Sequence, residues 1–128
     1  MMGEPSFAIP VRPTRTYPYS GGVEYDGGTV FQLTPRASRS TDELASLVES
    51  VLDAGPYRYG DFISLPMPLF LVRDDETGDV FRVSIRDGTV RFHVLPETES
   101  AGLRALYERL DEQTEGDWRV QSDTETRE

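Results

Sequence analysis

The chain has 128 residues and a mass of 14.4 kDa, which suits one domain with one core, since a chain of ~100–150 residues buries roughly two thirds of its unfolded surface. Its 23 Asp and Glu against 13 basic residues give a formal charge of −10; every basic residue is Arg, and Lys, Asn and Cys are absent. These counts exclude a disulfide framework, a thiolate metal centre, an iron–sulfur cluster and a cysteine nucleophile, and the acidity opposes generic binding to nucleic acid or anionic lipid.

In chain order, Met1 to Pro5 carries neither a basic region nor an apolar signal core, and no apolar run approaches the ~20 residues of a membrane span, so a cytoplasmic protein is expected. Phe7 to Val11 suits an edge strand, where the amide that Pro10 lacks is not needed. Val23 to Tyr25 and Thr29 to Leu33, separated by Asp26-Gly27-Gly28, suggest a hairpin whose glycines permit positive φ. Ser40-Thr41-Asp42-Glu43 matches a capping box, and Leu44, Leu47, Val48, Val51 and Leu52 then recur at helical spacing until Gly55-Pro56. A surface helix with one buried stripe follows from that pattern.

Between Phe62 and Leu95 the alternation indicates a three-stranded antiparallel meander. Asp87-Gly88 serves as a two-residue turn. That choice sets Ile85 against Val90, Val83 against Phe92 and Phe81 against Val94, three apolar pairs on one face, and a slip by one residue destroys the match. Phe70 and Val72 of the preceding strand join the same face. The loop Asp74 to Asp79 lacks the spacing of an EF-hand and is expected as a hydrated hairpin tip. A second helix, about Glu99 to Gln113, carries Leu103, Leu106, Tyr107 and Leu110, with Thr98 as its cap and Gly116 as its terminator. Trp118 and Val120 suit a short last strand.

The expected fold is α+β, a mainly antiparallel sheet of about five to six strands with two amphipathic helices on one face. One domain spans residues 1–120, and residues 121–128, without an apolar residue to bury, are expected as a disordered polar tail. Charge is unevenly distributed, since residues 96–128 hold 10 acids against 4 Arg.

Many carboxylates, no Lys and modest apolar content resemble the composition of proteins from salt-in halophiles, haloarchaea above all. The resemblance covers the whole chain and implies a habitat rather than an activity. A high-GC genome that encodes Arg in place of Lys gives a similar composition.

The same register has a consequence on the opposite face of the meander. There Arg82 opposes His93, Ser84 opposes Arg91 and Arg86 opposes Thr89, which gathers three Arg and the single His of an acidic chain on one surface. Leu69, Leu71, Val80 and Leu95 point the same way, and so many aliphatic side chains call for a cover, either residues 5–34 or a second copy of the chain. Arg82, Arg86, Arg91, His93, Leu71 and Leu95 are therefore the candidate contact surface for a small anionic ligand or a partner. Ordinary solvent-facing strand residues paired with loop acids produce the same pattern. Tyr19, Tyr57, Tyr59 and Arg58, on Pro- and Gly-rich connections, form a secondary candidate set.

No catalytic residues, metal ligands or cofactor are assigned. A single His cannot supply a paired-His metal motif, and no acid is placed by sequence to orient His93 as a base. The expected function is a noncatalytic binding or protein-interaction domain of a halophilic cytoplasm, with a homodimer through the sheet face. Two alternatives are a small-molecule enzyme with a pocket between the Tyr-rich loops and the sheet, and a sequence-specific nucleic-acid regulator using the Arg strip.

Overall fold

A computed structural model describes residues 7–16, 24–61, 69–114 and 118–125. The elements in order are β1 (Thr14–Thr16), β2 (Glu24–Asp26), β3 (Gly28–Thr34), α1 (Thr41–Ala54), β4 (Tyr57–Asp61), β5 (Leu69–Asp74), β6 (Val80–Arg86), β7 (Thr89–His93), α2 (Ser100–Thr114) and β8 (Arg119–Glu125). Six strands form one antiparallel sheet in the order β4-β5-β6-β7-β3-β8, and β1 pairs with β2 apart from it. With both helices packed through their apolar stripes, this is the expected α+β architecture.

The β6–β7 hairpin has the register that Asp87-Gly88 imposes, with Arg82 opposite His93, Val83 opposite Phe92, Ser84 opposite Arg91, Ile85 opposite Val90 and Arg86 opposite Thr89. Both turn residues take positive φ, 52° at Asp87 and 75° at Gly88, the pairing whose twist matches that of the flanking strands. Phe70, Val72, Phe81, Val83, Ile85, Val90, Phe92, Phe31 and Leu33 then form one buried sheet face. Leu44, Val48, Val51 and Leu52 of α1 and Leu103, Leu106 and Leu110 of α2 close the core over it. Ser40 caps α1, its hydroxyl oxygen accepting from the Glu43 amide at 3.1 Å, while the hydroxyl itself donates to the Glu43 carboxylate at 3.3 Å.

Four expectations are corrected. Residues 7–11 form no strand; instead Phe7 is a buried plug, its ring centroid 5.1 Å from Phe31 and 5.5 Å from Tyr107 of α2. Strand β2 pairs with β1 rather than with β3, because Gly27 and Gly28, at φ 73° and 104°, turn the chain away and both edges of β3 are taken by β7 and β8. Residues 121–125, expected as tail, complete β8 and pair with β3 as far as Gly28 opposite Glu125. The amides of the first turn of α2 are satisfied by Asp79 from the β5–β6 loop, not by Thr98. Its Oδ1 accepts from Glu99 N at 3.2 Å and its Oδ2 from Gly102 N at 2.6 Å. Thr98 instead ties the chain locally, accepting from Leu95 N and donating to Val80 O.

The Asp74–Asp79 connection is more than a hydrated tip. Asp74 is buried and folds the loop, its Oδ1 accepting from Glu76 N at 2.8 Å and Thr77 N at 3.2 Å. Gly116, the expected helix terminator, lies outside the described residues, as do residues 62–68 at the start of the expected meander.

Candidate functional site

Side chains alternate across a strand, so every residue flanking the core face in these strands contributes to the opposite face. Two cross-strand rows result there. One runs Leu71, Arg82, His93, Val30, Asp123 from β5 to β8; the next runs Leu69, Ser84, Arg91, Gln32, Gln121. Most of these side chains floor a cavity of about 510 Å³, walled by Pro13 and Gly27 to Thr29 on one side and by Leu69, Val94 and Leu95 elsewhere. The N-terminal segment supplies part of that wall because it is tied down just before Pro13. Arg12 donates to the carbonyls of Pro96 and Thr98 and meets Glu99 at 3.4 Å, while Thr29 Oγ1 donates to Val11 O at 2.7 Å.

Inside the cavity Ser84 Oγ and His93 Nε2 lie 2.7 Å apart. Burial, then the charges of Arg91 and Arg82, lower the His93 pKa from 6.5 to about 4. The ring is therefore neutral at pH 7, with one nitrogen bearing a proton and the other open to accept. At the β8 end, Gln32 Nε2 donates to Asp123 Oδ2, which orients the carboxylate at the cavity rim. Arg91 contacts Thr89 Oγ1 at 3.5 Å.

Several other Arg side chains are neutralised by nearby acids. Arg12 pairs with Glu99, Arg58 and Arg73 with Asp75, Arg86 with Asp87 and Arg109 with Glu76. Arg91 makes no ion pair among the described residues, although it lies half-buried in the cavity of a strongly acidic chain. Two guanidinium groups, a hydroxyl, an imidazole and a carboxamide thus share one concave surface, a donor set suited to a carboxylate or phosphate.

Of the sequence-derived candidates, Arg82, Arg91, His93 and Leu95 line this cavity. Leu71 belongs to the same row but lies outside the lining and is 39% exposed, the one large hydrophobic residue so exposed among those described. Arg86 sits at the hairpin end, held 3.6 Å from Asp87 and away from the cavity.

The secondary candidates Tyr57 and Tyr59, expected on a connection, lie instead in strand β4, which pairs with β5, and turn to its helix side. The Tyr57 hydroxyl accepts from Arg109 Nη1 at 3.1 Å, and burial, only partly offset by the Arg109 charge, raises the Tyr57 pKa to about 12. Tyr59 donates to Asp53 Oδ1 at 2.5 Å, and Arg58 is exposed beside Asp75. Tyr19 lies outside the described residues. Among the described residues no group of three or more His, Cys, Asp or Glu is placed to hold a metal ion, and no helix is long and apolar enough to cross a membrane.

Gln32, Val30 and Asp123 were not singled out by the sequence. The alternation in Thr29-Val30-Phe31-Gln32-Leu33 assigns Val30 and Gln32 to one face, yet nothing local reveals that β3 lies between β7 and β8. Ser84 was placed opposite Arg91 by the hairpin register, and the missing information was its contact with His93. No protein-family model, curated protein or solved structure matches this chain.

Proposed function

We propose that the chain is a noncatalytic binding domain whose sheet-face cavity takes a small molecule bearing a carboxylate or phosphate. The observation that carries this reading is the half-buried Arg91, unpaired with any described acid, on the same concave surface as Arg82, Ser84 and His93. A half-buried guanidinium with no described acid beside it keeps unused donors, and a bound oxyanion would engage them through charge-assisted hydrogen bonds. Neutral His93 suits the role in one tautomer: with Nε2 held by Ser84, a proton on Nδ1 makes that nitrogen the donor left for the anion. Calorimetric titration with inorganic phosphate and with acetate checks it: at least one should bind at millimolar concentration, and Arg91→Gln should weaken that binding about tenfold, the loss of ~1.4 kcal/mol. Absence of binding by both anions, or equal binding by the variant, would count against the proposal.

A homodimer over the same face is a second reading, favoured by Leu71, whose exposed side chain continues the cavity row towards β4. Native mass separates a dimer from a monomer. The setting in which the domain works, on this proposal, is a halophilic cytoplasm; the acidic, Lys-free composition supports it.

A further inference from the structure

The cavity has two electrical poles. Arg82 and Arg91 define one, on β6 and β7, and Asp123 defines the other, on β8. Arg82 and Asp123 stand in the same cross-strand row, three strand spacings apart, or roughly 14 Å between backbones at ~4.8 Å per spacing. Arg91 is two spacings from Asp123 and one row away, and makes no ion pair with it. Asp123 faces the cavity with Gln32 donating to one of its oxygens. An ionised carboxylate has room for about four hydrogen bonds, which leaves accepting capacity for a ligand.

Resting on the oxyanion reading above, we infer that the ligand is a short free peptide bound as a zwitterion, its carboxylate at Arg82 and Arg91 and its ammonium group at Asp123. A single anion engages one pole and leaves Asp123 repelling it. A dicarboxylate places its second charge against Asp123, which costs affinity. A free α-amino acid carries both charges on one carbon and cannot reach both poles. The backbones that carry the poles are two to three strand spacings apart, roughly 10–14 Å, a gap that about three extended residues at ~3.3–3.6 Å each can bridge between the side chains. Between the poles the surface is uncharged, with Val30, neutral His93 and Gln32 on the floor and Val94 and Leu95 beside them, as the uncharged middle of a peptide requires. His93, backed by buried Ser84, and Gln32 supply polar contacts for peptide N–H and C=O groups along the way.

The test uses the full chain, triglycine, N-acetyl-triglycine and triglycine amide, with inorganic phosphate and acetate as reference anions. Triglycine should bind about tenfold more tightly than either blocked peptide, ~1.4 kcal/mol per lost charge contact. Asp123→Asn should bring the ratio between triglycine and its acetylated form close to one. Equal binding of triglycine and its acetylated form to the natural chain overturns the zwitterion inference while leaving the oxyanion site standing. Equal binding of triglycine and its amide overturns it too, because the Arg pole then reads no carboxylate. Failure of both reference anions and of every peptide overturns the inference together with the site on which it rests.

Discussion

His93 takes its character from its neighbours rather than from its own chemistry. Burial disfavours the charged ring, Arg91 and Arg82 add repulsion, and its pKa falls from 6.5 to about 4. The linkage to stability has a definite sign. An unfolded chain gains a proton at this residue as pH drops through 6.5, whereas the folded chain resists until about pH 4, so stability is full above the first value and declines towards the second. The decline attributable to this residue is at most ~3 kcal/mol, at 1.36 kcal/mol per pKa unit. Thermal melts between about pH 7 and 5, above most carboxylate titration, should show a downward slope that His93→Gln flattens. Matching slopes in the two proteins would mean that the ring is not held neutral by its surroundings. Ser84, the partner at 2.7 Å, is itself nearly inaccessible, so it acts on the cavity only through the imidazole that it holds.

Among elements, those defined by contiguous residues were legible in the sequence, and those completed by distant partners were not. The β6–β7 register followed from Asp87-Gly88 because only one pairing puts Val83, Ile85, Val90 and Phe92 together. Helix α1 followed from its cap and its apolar stripe. Helix α2 was placed correctly, but its cap comes from Asp79, some twenty residues earlier, and no local rule links that residue to the amides of Glu99 and Gly102. The tail reading of residues 121–125 failed for a similar reason. A strand of Gln, Ser, Asp and Thr has no apolar signature when its neighbour, the otherwise free edge of β3, is what holds it. The candidate site inherited the same division: its Arg82, Arg91 and His93 half came from a local hairpin, while Gln32 and Asp123 arrived through non-local pairing.

The distant cap reverses a familiar substitution. Gly→Ala within a helix ordinarily gains ~1 kcal/mol. At Gly102 the added Cβ would collide with the Asp79 carboxylate that caps the helix. Gly102→Ala should therefore lower stability by ~1–3 kcal/mol in denaturant unfolding, and Asp79→Ala by ~1–2 kcal/mol. Because both variants act through one contact, the double variant should cost less than the sum. A stabilising Gly102→Ala would contradict the capping role assigned to Asp79.

For the whole molecule, a charge of −10 and a local cationic cavity have to coexist. The excess of acids destabilises the compact chain by self-repulsion where salt is scarce, and near ~1 M salt the Debye length shrinks to ~3 Å, which screens it. The melting temperature should accordingly rise between about 0.1 M and about 2 M KCl; a flat or falling response would remove the halophilic setting. Against this acidity the cavity stands out. Arg12, Arg58, Arg73, Arg86 and Arg109 are drawn to nearby acids, whereas the outer sheet face keeps Arg91 apart from them, with His93 pressed neutral beside it. The one imidazole in the chain gives a single, unambiguous ring signal in proton NMR, and its titration with and without inorganic phosphate reports on the cavity directly. The ring should titrate near about pH 4 in the free protein and at a higher pH with phosphate bound, since an anion offsets the repulsion from Arg82 and Arg91. A ring that titrates at the ordinary 6.5 and does not respond to phosphate would contradict an oxyanion site on this face.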